Sequence, residues 1–138
     1  MGIVEVDSHV DERLRSDAIV LLTTVRPDGR PVTVPVWFAW RNPEVTIYAP
    51  TATGKVANLA VNPRVALALD SAGGTDVVLM SGDAVLGPEG EAGAAEDEVF
   101  VAKYGDRMGP SAGEWAAQFE RRITVTVRNV RAWLASYD

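Results

Sequence analysis

The chain of 138 residues has no cysteine, one histidine, His9, and only two lysines, Lys55 and Lys103. The missing thiols exclude disulfides, thiol catalysis and cysteine-ligated zinc. A Ser-His-Asp triad would need His9, which we interpret instead as an exposed residue at the start of a surface helix. If the protein is an enzyme, we expect a bound cofactor to carry the chemistry, with no catalytic side chain and no metal site.

Long hydrophobic runs and an excess of positive charge are also absent. No stretch reaches the roughly 18 apolar residues of a membrane span, and the N-terminus lacks the pattern of a signal peptide. The formal net charge of −6 argues against non-specific binding to nucleic acid or to an anionic membrane. We therefore expect a cytoplasmic protein, with neither nucleic acid nor membrane as a partner. Its length and hydrophobic content fit a single domain, residues 1–138.

Short segments that alternate between apolar and polar residues predict a mainly β fold. Turns at Arg26–Gly29 and Asn42–Glu44 would make the first three strands consecutive antiparallel neighbours. Gly82 predicts a bulge or bend in a long strand, a device that helps small barrels to close. We expect a closed or split barrel of about six antiparallel strands with a few short helices. The predicted strands are Ala18–Val25, Arg30–Trp40, Val45–Ala49, Val65–Asp70, Val77–Leu86 and the segments Ile123–Arg128 and Val130–Leu134.

Four helices are predicted from apolar periodicity and capping residues. They cover Asp7–Ser16, Gly54–Val61, Pro88–Tyr104 and a segment that begins at Ser111. The acidic run from Glu96 to Glu98 lacks the ligand spacing of a calcium loop, so we interpret it as a solvated helix face.

The second predicted strand, Arg30–Trp40, is the centre of the pattern. Its even-numbered residues from Val32 to Trp40 form one apolar face, and Trp37 lies on the opposite face. Pro35 has no N–H for a sheet hydrogen bond, so it is expected at an edge, at a bulge, or where another group approaches the backbone. A flat ligand could lie against this backbone.

The segment Thr51-Ala52-Thr53-Gly54-Lys55 is the clearest chemical signal. It joins two hydroxyls, a glycine and a lysine to the start of a helix, the groups that hold a phosphate monoester. Asn58 follows one helical turn after Gly54. The alternative is a capped helix start with a solvated lysine. A nucleotide P-loop is disfavoured, because Ala49 and Val56 replace its first glycine and its magnesium-binding hydroxyl.

The ordered set of motifs resembles the pyridoxamine 5′-phosphate oxidase-like split barrels, which bind FMN or a deazaflavin. The resemblance implies a split β-barrel of Greek-key type and a homodimer with the coenzyme ring in a cleft between two barrels. It also implies that the ring follows the backbone of Val34, Pro35, Val36 and Trp37, with the phosphate near Thr51, Thr53, Gly54, Lys55 and Asn58. The motifs are Thr23–Pro31, Pro35–Phe38, Thr53–Leu59 and Asn62–Leu67.

The resemblance further favours the branch that uses the deazaflavin coenzyme F420. The sequence lacks a histidine to match that of the oxidase members, which argues against pyridoxamine phosphate oxidation. We expect an oxidoreductase that transfers a hydride between coenzyme F420 and an unsaturated small organic acceptor. The alternatives are an FMN-dependent oxidoreductase, a non-catalytic protein that binds a flavin, deazaflavin or tetrapyrrole, and a barrel whose cleft binds a small apolar ligand with no redox role.

Overall fold

A computed structural model describes residues 2–89, 93–108 and 118–135. None of the helices in these ranges is long and apolar enough to cross a membrane. The predicted helix beginning at Ser111 falls largely outside them. The elements are α1 (Ser8–Ser16), β1 (Val20–Val25), β2 (Pro31–Val36), β3 (Ala39–Arg41), β4 (Glu44–Ala49), α2 (Gly54–Val61), β5 (Arg64–Leu69), β6 (Asp76–Leu86), a 3₁₀ turn (Ala94–Glu96), α3 (Glu98–Met108) and β7 (Arg121–Leu134).

The described residues form seven strands in one antiparallel sheet, in the order β2-β1-β5-β6-β7-β4-β3. Its two edge strands, β2 and β3, are joined by only Trp37 and Phe38. Because three residue steps span at most about 10 Å, the sheet must curl until its two edges approach each other. The prediction of a mainly β split barrel is confirmed, with seven strands in place of about six.

The prediction of one strand over Arg30–Trp40 was wrong. The segment contains β2 and β3, which lie at opposite edges of the sheet, so β4 pairs with β3 and β7 and not with β2. The local alternation runs unbroken through the link and gives no sign of the change of edge. The predicted apolar face is divided accordingly: Phe38 and Trp40 are buried, whereas Val32 is 38% exposed.

The long pairing of β6 with β7 confirms the bulge predicted at Gly82. The register shifts between Ser81 and Gly82. A Cβ atom on Gly82 would lie 2.2 Å from the carbonyl oxygen of Thr126. No real side chain tolerates that distance, so the close approach of β7 at this bulge requires glycine.

The barrel interior is a continuous apolar core that is mainly aliphatic and also contains Phe38 and Trp40. Val10 and Leu14 of α1 are buried against it, as expected for a helix that covers one end of the sheet. The strands contribute fully buried residues that include Leu22, Ile47 and Ile123. Burial of such side chains at about 25 cal/mol per Å² is the main favourable contribution to folding.

A second cluster lies outside the barrel, between the sheet and α3, and we call it the outer layer. It contains Tyr48, Phe100 and Tyr104, with Trp37 and Phe119 packed against it. The prediction of one helix over Pro88–Tyr104 was wrong in its start: a 3₁₀ turn comes first and α3 begins at Glu98. The cause is Asp97, whose Oδ1 accepts from the Phe100 N–H at 3.1 Å and so caps the helix.

Candidate functional site

The open edge of β2 presents mainly hydrogen-bond acceptors. The Arg26 N–H donates to the Arg30 carbonyl at 2.8 Å. Because hydrogen-bonded and non-hydrogen-bonded pairs alternate along an antiparallel ladder, this bond determines which residues of β2 form hydrogen bonds with β1. It follows that Pro31, Thr33 and Pro35 direct their backbone groups away from β1. The two prolines carry no N–H, so this stretch of the edge offers three carbonyls and the single N–H of Thr33. Pro35 thus lies at an edge, one of the places expected for it.

Two cavities meet beside this strand. The aromatic cavity has a volume of about 240 Å³ and is lined by Ile19, Pro35, Val36, Trp37, Tyr48, Lys55, Phe100 and Phe119. The cationic cavity has a volume of about 340 Å³ and is lined by Thr24, Arg26, Val32, Val34, Gly54, Lys55 and Asn58. Of the nine site residues predicted from the sequence, seven line one or both cavities. Lys55 lines both.

Lys55 lies in the first turn of α2, where it is half-buried. Burial lowers the pKa of its ammonium group. The helix begins after Thr53, whose side chain makes no capping hydrogen bond to the first turn. Because the Thr53 side chain does not cap the helix, the first N–H groups of α2 are available to a ligand beside Lys55. This is an environment in which an anion would be stabilised.

Asn58 and Thr24 form the floor of the cationic cavity. Asn58 is 8% exposed, and its Nδ2 donates to Thr24 Oγ1 at 3.1 Å. Arg26 also lines this cavity and is exposed, 3.7 Å from Asp28. Thr24 and Arg26 were not among the predicted site residues. The signal that could have found them is the Arg26–Gly29 turn, which places the end of β1 beside β2.

Thr51 and Thr53 line neither cavity. The Thr51 hydroxyl donates to Glu120 Oε1 at 2.7 Å, and the Thr53 hydroxyl donates to the Pro50 carbonyl at 3.0 Å. The hydrogen bond from Thr51 lowers the pKa of Glu120. Their role as phosphate ligands stays a prediction, and it would require both hydroxyls to change partners.

Trp37 stands in the link between β2 and β3. Its ring stacks on Tyr104 with centroids 4.4 Å apart and an angle of 5° between the planes. The Tyr104 hydroxyl donates to the Ala18 carbonyl at 2.7 Å and accepts from the Phe38 N–H at 3.0 Å. Burial raises the pKa of Tyr104 to about 12. The link and the Trp37 ring are therefore held against α3 on the wall of the aromatic cavity.

A third cavity, the polar cleft, adjoins the outer layer. It has a volume of about 600 Å³, and its lining includes Arg41, Glu44, Tyr48, Glu96 and Asp97. The Tyr48 hydroxyl donates to Asp97 Oδ2 at 2.7 Å, and Arg41 pairs with Oδ1. Burial works to raise the pKa of Asp97, but these hydrogen bonds hold it below its ordinary value. The sequence suggested that Asp97 belongs to a solvated helix face. That interpretation was wrong, because Asp97 is held by Tyr48 and Arg41.

The residues present fit a ligand that combines a flat ring system with a phosphate. An ammonium group, a guanidinium group, a buried amide and a helix N-terminus converge on the cationic cavity. The neighbouring cavity is apolar and aromatic apart from Lys55 and the Tyr48 hydroxyl. In the described ranges, no group of three or more histidine or acidic side chains could hold a metal ion.

Solved structures share this fold. An F420 reductase is 25% identical, with 91% of this chain and 98% of that chain covered and a TM-score of 0.74. The conserved hypothetical protein Rv2991 from Mycobacterium tuberculosis is also 25% identical, with 96% and 86% covered and a TM-score of 0.69. The heme storage protein HutZ from Vibrio cholerae is 15% identical, with 95% of each chain covered and a TM-score of 0.66, so it shows the fold alone.

No curated protein matches the sequence significantly. The family model described as pyridoxamine 5′-phosphate oxidase matches residues 6–134, which is nearly the whole chain. The chain therefore belongs to the pyridoxamine 5′-phosphate oxidase family.

Proposed function

We propose that the protein is an oxidoreductase that transfers a hydride between coenzyme F420 and an unsaturated small organic acceptor. The observation that carries this proposal is the position of Lys55, whose half-buried ammonium group lines both an aromatic and a cationic cavity. The similarity to an F420 reductase supports the choice of coenzyme. When bound, the deazaflavin supplies or accepts the hydride, so no side chain needs to act as a nucleophile.

The cationic cavity is the proposed phosphate site. Lys55 neutralises charge there, and the buried Asn58 amide and the first N–H groups of α2 donate hydrogen bonds. Gly54 leaves open space at the helix start, since a Cβ there would have no atom within 4 Å. Arg26 adds a second cation at the mouth of the cavity. Thr51 and Thr53 remain proposed ligands from the sequence.

The backbone of Val34–Trp37 is the proposed support for the ring. The outward carbonyl of Pro35 would accept a hydrogen bond from the ring, while Trp37 walls the space for the acceptor. A ligand bound against the aromatic side chains that line this space would displace water from it. The protein thus contributes position, exclusion of water and electrostatic stabilisation.

A homodimer is part of this proposal. Strand register aligns Pro35, Leu21, Ala68 and Leu79 across the outer face of the sheet. All four are apolar, and Leu21 is 41% exposed. This apolar row next to β2 favours self-association that would place a second barrel beside the ring.

Titration with coenzyme F420 and, separately, with FMN tests the function, with ligand fluorescence as the signal. We expect F420 to bind more tightly and Lys55→Ala to weaken it by about 10- to 100-fold, the effect of one charge-assisted hydrogen bond. Lys103→Met is the matched control because Lys103 lines neither cavity. Unchanged F420 binding by Lys55→Ala would contradict the phosphate site.

The other outcomes of the titration separate the alternatives. Tighter binding of FMN would move the protein to the flavin-dependent enzymes. Tight F420 binding with no hydride transfer to any of a panel of unsaturated acceptors would indicate a non-catalytic binder. Binding of neither coenzyme would refute the proposed function.

Light scattering coupled to size-exclusion chromatography tests the dimer. Leu21→Arg should give a monomer, since it places a charge within the apolar row of Pro35, Leu21, Ala68 and Leu79. Leu134→Arg is the control, because Leu134 is 72% exposed and lies at the far end of β7. A dimer that survives Leu21→Arg, or a wild-type monomer, would refute this interface.

A further inference from the structure

The open edge of β2 runs beside both cavities of the candidate site. Val32 and Val34 line the cationic cavity, and Pro35 lines the aromatic cavity. The residues of β2 whose backbone groups face away from β1 are Pro31, Thr33 and Pro35. Because β2 is an edge strand, no other strand of the described chain pairs with these groups. They are open to a ligand that lies along the edge.

This edge is poor in hydrogen-bond donors. An ordinary strand edge presents one N–H and one carbonyl from every outward residue. Here two of the three outward residues are prolines, which have a carbonyl and no N–H, so Thr33 supplies the one backbone donor of the stretch. At Pro35, beside the aromatic cavity, a ligand meets a carbonyl oxygen and no backbone N–H. A ligand group that can donate gains there, and a lone pair that loses its water is left unsatisfied.

The side-chain donors of the aromatic cavity are engaged elsewhere. The Tyr48 hydroxyl donates to Asp97 Oδ2 at 2.7 Å. Lys55 also lines the cationic cavity, where its ammonium group is the proposed partner of the phosphate. Neither group is therefore assigned to replace the N–H that is missing at Pro35.

This shortage of donors distinguishes two classes of coenzyme. Oxidised FMN and a 5-deazaflavin differ at the centre of the ring system, where the flavin has the nitrogen N5 and the deazaflavin has a C–H group. The N5 lone pair accepts hydrogen bonds and needs a donor once water has left. A C–H group needs none, and against a carbonyl oxygen it makes a weak favourable contact. An edge without an N–H at Pro35 thus penalises the oxidised flavin alone.

We propose that Pro35 is a specificity-determining residue, which favours a 5-deazaflavin over oxidised FMN because it withholds a backbone N–H from the coenzyme ring. This inference rests on the proposed function, since it takes the ring to lie along the backbone of Val34–Trp37. It deepens that function by assigning the choice of coenzyme to one backbone position. The choice is then independent of the phosphate and of the rest of the coenzyme tail.

The test compares FMN with 5-deaza-FMN, which differ in the N5 atom and share the ribityl phosphate. Both are used oxidised, because reduced FMN carries a hydrogen on N5, and binding is followed by ligand fluorescence. We expect wild type to bind 5-deaza-FMN about tenfold more tightly than FMN, the effect of one unsatisfied acceptor. Pro35→Ala restores the N–H and should bring the two dissociation constants within about threefold, by strengthening the binding of FMN.

Pro31→Ala is the matched control. It adds an N–H to the same edge, but Pro31 lines neither cavity, so the preference of wild type should be retained. Pro35→Val provides a second route, because it restores the N–H with a side chain that favours strands. A shift that the alanine and valine variants share comes from the N–H and not from the side chain. Circular dichroism and thermal melting show which variants are native.

Lys55→Ala separates this inference from the proposed function in the same titration. It should weaken the binding of both probes by the same factor, since both carry the phosphate. Tight binding of F420 that depends on Lys55, in a protein that does not distinguish the two probes, would refute the role of Pro35 and leave the proposed function intact. Binding of neither F420 nor 5-deaza-FMN would refute both.

Two further results would overturn the inference. One is an unchanged preference in native Pro35→Ala and Pro35→Val, which would mean that the N–H at this position does not reach the ring. The other is an equal loss of preference in Pro31→Ala, which would assign the effect to the flexibility of the edge strand and not to a donor beside the aromatic cavity.

Discussion

Inside the barrel, Leu22, Ile47 and Ile123 are buried among mainly aliphatic side chains, whereas the two tyrosines of the outer layer hydrogen-bond to polar partners. The Tyr104 hydroxyl forms hydrogen bonds with backbone carbonyls beside β1 and β3, and the Tyr48 hydroxyl donates a hydrogen bond to Asp97. The barrel thus depends on shape and apolar area, and the outer layer on specific contacts. Since the aromatic cavity lies in the outer layer, the site is held by the part of the molecule that single polar substitutions and pH can alter.

The largest effect is expected from Gly82→Ala, which tests the barrel. The added Cβ would meet the Thr126 carbonyl oxygen at 2.2 Å and the Val127 Cα at 3.0 Å. Both atoms are backbone and cannot rotate away, so β6 and β7 must separate. We expect the free energy of unfolding in urea to fall by about 3 kcal/mol, the upper range for overpacking.

Gly54→Ala is the control for Gly82→Ala, because its Cβ would meet no atom within 4 Å. It should change the free energy of unfolding by no more than about 0.5 kcal/mol. Equal stability of the two variants would show that β7 does not approach Gly82 as closely as the bulge requires.

A smaller effect is expected from Tyr104→Phe, which removes one hydroxyl from the outer layer. The Phe38 N–H, which is buried, and the Ala18 carbonyl then lose their partner. An unsatisfied buried group costs about 1–3 kcal/mol, so we expect a loss of about 2 kcal/mol. Near-ultraviolet circular dichroism should change with the Trp37–Tyr104 stack, while the far-ultraviolet signal of the barrel is retained.

Tyr48→Phe is the comparison for Tyr104→Phe. Asp97 retains Arg41 and the Phe100 N–H after the phenol hydroxyl is removed, so the loss should be about 1 kcal/mol. If both variants were as stable as wild type, the outer layer would depend on ring packing alone, and the contrast with the barrel would fail.

The sequence predicted the elements better than their arrangement. Alternation, apolar periodicity and the glycine at position 82 act over a few residues, so they located the strands, helix α2 and the bulge. The split of Arg30–Trp40 into β2 and β3 depends on where two distant edges of the sheet meet. No residue between Val36 and Ala39 indicates that the chain changes edges there, because the apolar alternation continues through the link.

The candidate site was partly predictable for the same reason. Lys55, Gly54 and Asn58, which line the cationic cavity, were predicted because a glycine-lysine helix start has a local pattern. Tyr48 and Asp97 were not found, because their importance comes from a contact between residues 49 positions apart. Asp97 resembled its acidic neighbours in sequence and differs from them only through burial beside Arg41.

The smallest expected effect is a pH dependence from Lys103. Its Nζ donates to the Phe38 carbonyl at 3.0 Å and lies 3.6 Å from the centre of the Phe38 ring. Burial lowers its pKa to about 8, although Asp17 acts to raise it. An unfolded lysine has a pKa of about 10.4, so between these values the unfolded chain binds more protons than the folded one. The free energy of unfolding must therefore rise with pH across this window.

We expect this rise to be about 1 kcal/mol between pH 8 and 10, because Lys103 is only half-buried and water screens part of its charge. Lys55, whose pKa is also lowered, adds to the rise, and ionisation of unfolded tyrosines reverses it above about pH 10. Urea unfolding of wild type and Lys103→Met over this range isolates the contribution, since methionine keeps the contact with Phe38 and cannot titrate. If the free energy of unfolding rose equally in Lys103→Met, the rise would come from Lys55 in the cationic cavity. The packing of α3 would then not depend on pH.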